Sequence, residues 1–72
     1  MVERGMKASF IPHFIDSVKL TPAERRAATV TANVVSVNEK HRNFICEWKE
    51  GDTRLRESFL FSEIWKKVTI IG

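Results

Sequence analysis

The sequence has few of the residues that cross-link a small protein covalently or through a metal ion. It contains one cysteine, Cys46, and two histidines, His13 and His41. A single thiol excludes an internal disulfide, and without a Cys or His companion at ligand spacing it argues against structural zinc. Neither histidine has a second histidine three or four positions away. We therefore predict no metal site and no cofactor.

Motifs that carry catalysis are also missing. The three glycines, Gly5, Gly51 and Gly72, are far apart, which excludes a glycine-rich phosphate loop. Cys46 would need a histidine within reach to act as a nucleophile, and the alternation of its segment directs it toward an apolar face. Paired carboxylates are absent as well. We therefore predict that the protein is not an enzyme, and the sequence indicates no small-molecule substrate.

No apolar run approaches the roughly 18 residues that a bilayer-spanning segment needs. The first six residues lack the apolar stretch of a secretory signal. These absences predict a cytoplasmic protein with no membrane partner. A chain of 72 residues is expected to form a single domain over residues 1–72, with residues 1–6 as a flexible N-terminal tail.

The clearest structural pattern is a β-hairpin. Residues 42–50 and 53–61 alternate between apolar and polar side chains, and Gly51-Asp52 separates them. A glycine at the start of a two-residue connection supplies the positive φ that a hairpin turn requires. Counting outward from this turn fixes the register, which includes the pairs Glu50–Thr53, Trp48–Leu55 and Phe44–Phe59. One side of the hairpin then becomes a core face, formed by Phe44, Cys46, Trp48, Leu55 and Phe59.

Glu57 does not fit this alternation, because it is a carboxylate on the apolar side. It could lie near the sheet edge as a partly exposed side chain, or it could accept hydrogen bonds from backbone amides. We favour the partly exposed carboxylate.

One strand is predicted on each side of the hairpin. Residues 27–37 change the phase of their apolar positions, which indicates a bent or bulged strand that contributes to two sheets in turn. A polar turn at residues 38–41 follows. Residues 66–72 form a last short strand after a 3-10 turn at residues 62–65, begun by Ser62.

The first long connection contains a helix start signal. Thr21, Pro22 and Glu24 match a capping box, and the helical turn can extend only to about Ala28. Residues 9–19 are ambiguous, because their apolar spacing fits a helical stripe while Pro12 favours extended backbone before it. We favour a strand near residues 7–11 that continues past Pro12 as an edge.

The order of these elements resembles an SH3-like small barrel of the Tudor or KOW type. The resemblance covers residues 28–71 and is carried by the segments 34–38, 43–48, 51–52, 55–57 and 61–64. It implies an all-β, five-stranded SH3-like small barrel, with a short helical turn in the first long connection and a 3-10 turn before the last strand. Parts of residues 30–59 are also similar to small uncharacterised proteins of phages and mobile elements in Gram-positive bacteria. That similarity implies a bacterial or phage cytoplasm.

Two features depart from the peptide-binding members of this fold. The chain has no tyrosine, whereas Tudor domains hold methylated side chains in a cage of several aromatic rings. Polyproline-binding SH3 domains carry an acidic loop in the first long connection, where this chain carries Lys19, Arg25 and Arg26. The resemblance therefore predicts the fold without either peptide-binding role.

The function is expected to be that of an interaction module. The apolar residues 10–15 and a final strand that leaves an open edge predict contact with a partner protein or self-association. The alternative is weak nucleic-acid binding through a basic surface, since the net charge is +3. The candidate binding residues form three groups: the turn residues Lys40, His41 and Arg42; the strand residues Arg54 and Arg56; and Trp65 with Lys66 and Lys67.

Overall fold

The computed structural model describes residues 2–72 and has an all-β fold with short helical turns. Its strands are β1 (Lys7–Phe10), β2 (Val30–Asn38), β3 (Asn43–Glu50), β4 (Thr53–Leu60) and β5 (Val68–Ile70). They form one antiparallel sheet in the order β4-β3-β2-β1-β5. Strands β4 and β5 are therefore the two edges, and across residues 2–72 the sheet is open. The predicted all-β class and the five strands are confirmed.

The hairpin of β3 and β4 has the predicted register. The pairs Glu50–Thr53, Trp48–Leu55 and Phe44–Phe59 lie opposite one another. Gly51 begins the turn with φ +62, a left-handed conformation that glycine adopts without steric cost. The predicted core face is also confirmed: Leu55 is partly buried and packs against the core, and the buried members are Phe44, Cys46, Trp48 and Phe59.

Strand β2 is bulged, as its change of phase predicts. Its pairing with β3 shifts between Val34 and Ser36, so Val35 is the extra residue. The first half of β2 pairs with β1, and the second half pairs with β3. The bulge lets one strand bury Val34 while it bends between its two neighbours. Both halves belong to a single sheet and not to two successive sheets.

The capping box begins helix α1 (Pro22–Ala28), as predicted. The Glu24 amide donates to Thr21 Oγ1 at 3.2 Å, and the Thr21 amide donates to Glu24 Oε1 at 2.8 Å. These two bonds satisfy amides that a helix start otherwise leaves unpaired. In residues 2–72, no helix is both long and apolar enough to cross a membrane.

Two 3-10 turns complete the fold, at Ser17–Lys19 and Phe61–Glu63. The second turn begins one residue before the predicted Ser62. Its cap is the Glu63 carboxylate, which accepts the Leu60 amide at 2.8 Å. The turn therefore begins with a hydrogen bond from the residue before it to Glu63, its third residue, and not with the predicted Ser62.

The strand predicted near residues 7–11 is correct in type and wrong in extent, and the ambiguous segment after it contains the 3-10 turn Ser17–Lys19. β1 ends at Phe10 and does not continue past Pro12. Proline has no amide to donate to a sheet, and the Ile15 amide instead closes a turn on the Pro12 carbonyl at 3.0 Å. β1 is also an interior strand, paired with β2 on one side and β5 on the other.

Val2 and Met6 contribute to the core, in a segment where the sequence predicts a flexible tail. The Val2 side chain is 1% exposed. The Gly5 amide donates to the Val34 carbonyl at 2.9 Å, and the Val34 amide donates to the Met6 carbonyl at 2.8 Å. This segment therefore lies against β2 and extends its hydrogen-bonded network toward the N-terminus. Met1 lies outside the described residues.

Candidate functional site

A groove of about 540 Å³ lies where β5, the turn before it and the segment after β1 meet. Its floor is apolar and includes the buried side chains of Phe10, Phe59 and Val68. The rest of its lining is more polar and includes His13, Arg25, Trp65, Lys66 and Lys67. We call this feature the Trp65 groove.

Trp65 is held outward at the rim by the turn that joins the second 3-10 turn to β5. Its amide donates to the Val68 carbonyl at 2.7 Å, and its backbone has a φ of +72. A bulky residue rarely adopts this left-handed conformation, which costs on the order of 1–3 kcal/mol. The neighbouring Ile64 packs against the core and Val68 is buried in it. The Trp65 side chain stays 75% exposed, so the turn presents an indole to solvent.

Glu63 fixes the shape of this turn. Its carbonyl accepts the amides of Lys66 at 3.0 Å and Lys67 at 2.8 Å. Its carboxylate accepts the Leu60 amide and lies 3.2 Å from Lys67 Nζ. The Leu60 hydrogen bond has the largest effect and lowers the pKa of Glu63. Burial opposes it, and the hydrogen bond and charge of Lys67 lower the pKa further. The carboxylate therefore remains ionised and holds both ends of the turn.

The cations at the groove differ in how far they are already paired. Lys67 has Glu63 as its partner, whereas Lys66 and Arg25 make no ion pair with any residue of the described chain. Arg25 lies in the last turn of α1, where its carbonyl accepts the Thr29 amide at 3.1 Å and the Thr29 hydroxyl at 2.7 Å. The groove thus has two cations available to an anionic ligand.

Glu57 holds the opposite wall of the groove, the segment after β1, against the sheet. One carboxylate oxygen, Oε1, accepts the His13 amide at 3.0 Å and lies 2.9 Å from His13 Nδ1. Glu57 lies on the edge strand β4 and is half-buried as a residue, and its side chain is 8% exposed. It is more buried than the favoured expectation of a partly exposed carboxylate, and the alternative, a hydrogen bond from a backbone amide, is confirmed for the His13 amide. A carboxylate on the apolar side of β4 needs such hydrogen bonds to offset its loss of water. The bonds anchor the segment after β1 against the sheet.

The predicted pair Arg54 and Arg56 is largely occupied by Glu47. Arg56 makes two contacts of 2.9 Å with Glu47 Oε2, and Arg54 approaches Glu47 Oε1 at 3.9 Å. One carboxylate thus offsets part of the charge of both arginines. Neither arginine lines the Trp65 groove.

The basic turn after β2 is exposed but is not part of the groove either. Lys40, His41 and Arg42 are all solvent-accessible. The His41 amide donates to Asn38 Oδ1 at 3.0 Å, and the Arg42 carbonyl accepts the Phe61 amide at 2.9 Å. Of the three predicted groups, the one that lines the Trp65 groove is Trp65, Lys66 and Lys67. Arg56 lies beside Lys67 in a separate, smaller depression.

Cys46, the one thiol, lies in the core. Cys46 is fully buried, and burial, followed by the charge of Glu57, raises its pKa to about 11. The thiol is therefore protonated near neutral pH and inaccessible to a substrate. Residues 2–72 contain no cluster of three or more His, Cys, Asp or Glu side chains suited to hold a metal ion.

Sequence reasoning missed Arg25 and His13 as residues of the site. In the sequence, Arg25 stands out only as a charge of the wrong sign for a polyproline-binding loop. His13 stands out only as a histidine without a second histidine nearby. That unexpected positive charge was the signal available for Arg25. No pattern in the sequence pointed to His13, whose partner Glu57 is 44 positions away.

Comparison of this chain with protein-family models, curated proteins and solved structures finds no match.

Proposed function

We propose that the protein is a non-enzymatic interaction module whose partner is nucleic acid. The observation that carries this proposal is an exposed Trp65 beside Lys66 and Arg25, two cations without a carboxylate partner in the described chain. Small domains bind nucleic acid by combining cationic side chains with exposed aromatic rings. A buried Cys46 with a raised pKa supports the non-enzymatic part.

Charge and burial together favour nucleic acid over a partner protein. The sequence predicts protein contact from an open edge at the last strand and from the apolar residues 10–15. β5 is indeed an edge strand, but within residues 10–15 Phe10 and Pro12 are buried. The apolar excess of this segment is therefore largely used by the core. Phe14 remains exposed, but cations and a tryptophan line the adjoining groove. Such a surface complements a phosphate backbone better than an apolar protein face.

We interpret the fold as an SH3-like small barrel. The sheet order β4-β3-β2-β1-β5, a bulge in β2 and the 3-10 turn between β4 and β5 support this interpretation. A bent β2 that pairs with β1 and then with β3 would curl the two ends of the sheet toward each other. The setting that we propose, a bacterial or phage cytoplasm, rests on the sequence resemblance alone.

Contact with a second copy of this chain is the second candidate function. The specific observation in its favour is a pair of exposed apolar side chains, Phe14 at 60% and Val18 at 84%. Light scattering tests it at protein concentrations from about 5 to about 500 µM, a range that covers the dissociation constants of typical weak dimers. A mass that rises with concentration, and falls back in Phe14→Ser, would support self-association. A constant monomer mass would exclude it over this range.

Fluorescence anisotropy with labelled oligonucleotides tests the nucleic-acid proposal. Single-stranded and duplex DNA and RNA of about ten nucleotides or pairs are titrated at two salt concentrations. Peptide nucleic acid of the same sequence, which lacks phosphate charge, is the matched control. We expect binding of at least one natural oligomer that weakens as salt rises, with no binding of the neutral analogue. Failure of all natural oligomers to bind at low salt would overturn the proposal.

A further inference from the structure

We propose that the Trp65 groove binds single-stranded nucleic acid, with one base stacked on the Trp65 indole and the adjoining phosphates on Lys66 and Arg25. This inference rests on the nucleic-acid function proposed above and adds the site and the strandedness of the ligand. Its basis is that three chemically matched groups line one groove although they come from α1 and from the turn before β5.

The exposed indole indicates an unpaired base. A ring that is 75% exposed and extends from a turn can offer a face to a planar ligand. In a duplex the faces of each base are covered by the neighbouring base pairs, so only an unstacked base can accept the indole. The backbone conformation of Trp65 also suits a ring that faces a ligand. Ile64 and Val68 pack into the core, whereas the φ of +72 at Trp65 directs its side chain away from the core.

The arrangement of charge favours a nucleic acid over an acidic peptide. The carboxylates of an acidic peptide would pair with Lys66 and Arg25, but the negative face of the Trp65 ring does not attract a carboxylate. A nucleotide chain uses both the cations and the ring, since phosphates alternate with bases along the strand. Glu57 is the carboxylate in the groove lining, and its contact with His13 leaves it little exposed to repel a phosphate.

The number of free cations sets the expected salt dependence. Lys66 and Arg25 give two phosphate contacts, and Lys67 gives a third if it exchanges Glu63 for a phosphate. Single strands release about 0.7 counterions for each neutralised phosphate. The slope of log K against log salt is therefore expected to lie between about −1.4 and −2.1.

The test measures the affinity of a labelled ten-nucleotide oligo-dT and oligo-U, and of a ten-base-pair duplex, by anisotropy. We expect tighter binding of the single strands. Trp65→Ala is expected to weaken that binding by about 5- to 150-fold, the range of one stacked base. Trp65→Phe should retain most of the affinity because it keeps an aromatic face. Trp65→Gly should match Trp65→Ala while removing the backbone strain, which separates the loss of the ring from any loss of folding.

Matched cation variants locate the phosphates. Arg25→Ala is compared with Arg26→Ala, which removes the same charge from the next position of α1 but does not line the groove. Lys66→Ala is likewise compared with Lys40→Ala. We expect each groove variant to reduce the salt slope by about 0.7, and each control to leave it nearly unchanged. Urea denaturation confirms that every variant is folded.

The outcomes separate this inference from the proposed function. Equal binding of single strand and duplex, with no effect of Trp65→Ala, would overturn the site while leaving charge-driven nucleic-acid binding in place. Competition by polyglutamate as effective as competition by oligo-dT would overturn it in favour of an acidic protein ligand. No binding of any oligonucleotide would overturn both. Quenching of tryptophan fluorescence by oligo-dT that disappears in Trp65→Phe, where the buried Trp48 remains, would support stacking on Trp65.

Discussion

The hydrogen bonds between Glu57 and His13 support a prediction that links the sheet to the wall of the groove. Glu57→Ala removes the oxygen that accepts the His13 amide at 3.0 Å and that lies 2.9 Å from Nδ1. A hydrogen bond to a charged group contributes about 1.5–3 kcal/mol. The His13 side chain is 76% exposed, so its own contact with the carboxylate adds at most about 1 kcal/mol. We expect Glu57→Ala to lower the free energy of unfolding by roughly 1.5–3 kcal/mol.

That loss should be tolerated, because a domain of this size has a stability of roughly 4–11 kcal/mol. Glu57→Gln keeps an oxygen for the His13 amide and is expected to lose less than half as much. The control is Glu39→Ala, which removes an exposed carboxylate from the turn after β2. Urea denaturation gives the global stability, and amide hydrogen exchange read by NMR gives the local one.

The decisive signal is the His13 amide. Its exchange should accelerate in Glu57→Ala by more than the global loss of stability accounts for, because the segment after β1 loses its anchor. Unchanged protection of this amide, together with a stability within 0.5 kcal/mol of the control variant, on the order of a neutral surface change, would refute the reasoning.

Three further predictions concern the thiol, the helix and the hairpin. Folding raises the pKa of Cys46 to about 11 from a usual 9.0, so the free energy of unfolding is highest below pH 9 and falls as the pH rises toward 11. The thermal unfolding midpoint should therefore fall more steeply over this pH range in the natural protein than in Cys46→Ala. Thr21→Ala removes one half of the capping box and should cost about 1 kcal/mol in urea denaturation, whereas Ala23→Ser on the same exposed helix should cost less. Gly51→Ala forces a side chain into the left-handed region at φ +62 and should cost about 1–2 kcal/mol. An unchanged unfolding midpoint in Gly51→Ala would contradict the turn geometry.

The elements that the sequence predicts well depend on residues close together along the chain. The register of β3 and β4 follows from the two-residue turn at Gly51 and from alternation with a period of two. The bulge at Val35 is visible as a change of phase within one strand, and the start of α1 as the spacing of Thr21 and Glu24. Each of these signals lies within a few residues of the chain or follows from counting residues outward from a turn.

Other features required knowledge of how distant segments pack. Alternation placed Glu57 on the apolar side of β4 but could not supply its partner, because His13 comes from a segment with no periodic relation to β4. Val2 enters the core although nothing in residues 1–6 marks it as buried. The end of β1 at Phe10 and its interior position depended on pairing with two strands that lie far along the chain.

By itself, the sequence determined the strands, the hairpin register, the capping box and the sign of the charge, since local backbone preferences and side-chain alternation fix them. Only the tertiary structure decided which cations lie close together and which are paired. Arg56 and Arg54 meet Glu47 across the sheet, while Lys66 and Arg25 remain unpaired within the described chain. Those two cations line one groove with Trp65 because the turn before β5 and the end of α1 converge there. Such convergence comes from the packing of segments whose separation along the chain leaves no repeating pattern to read.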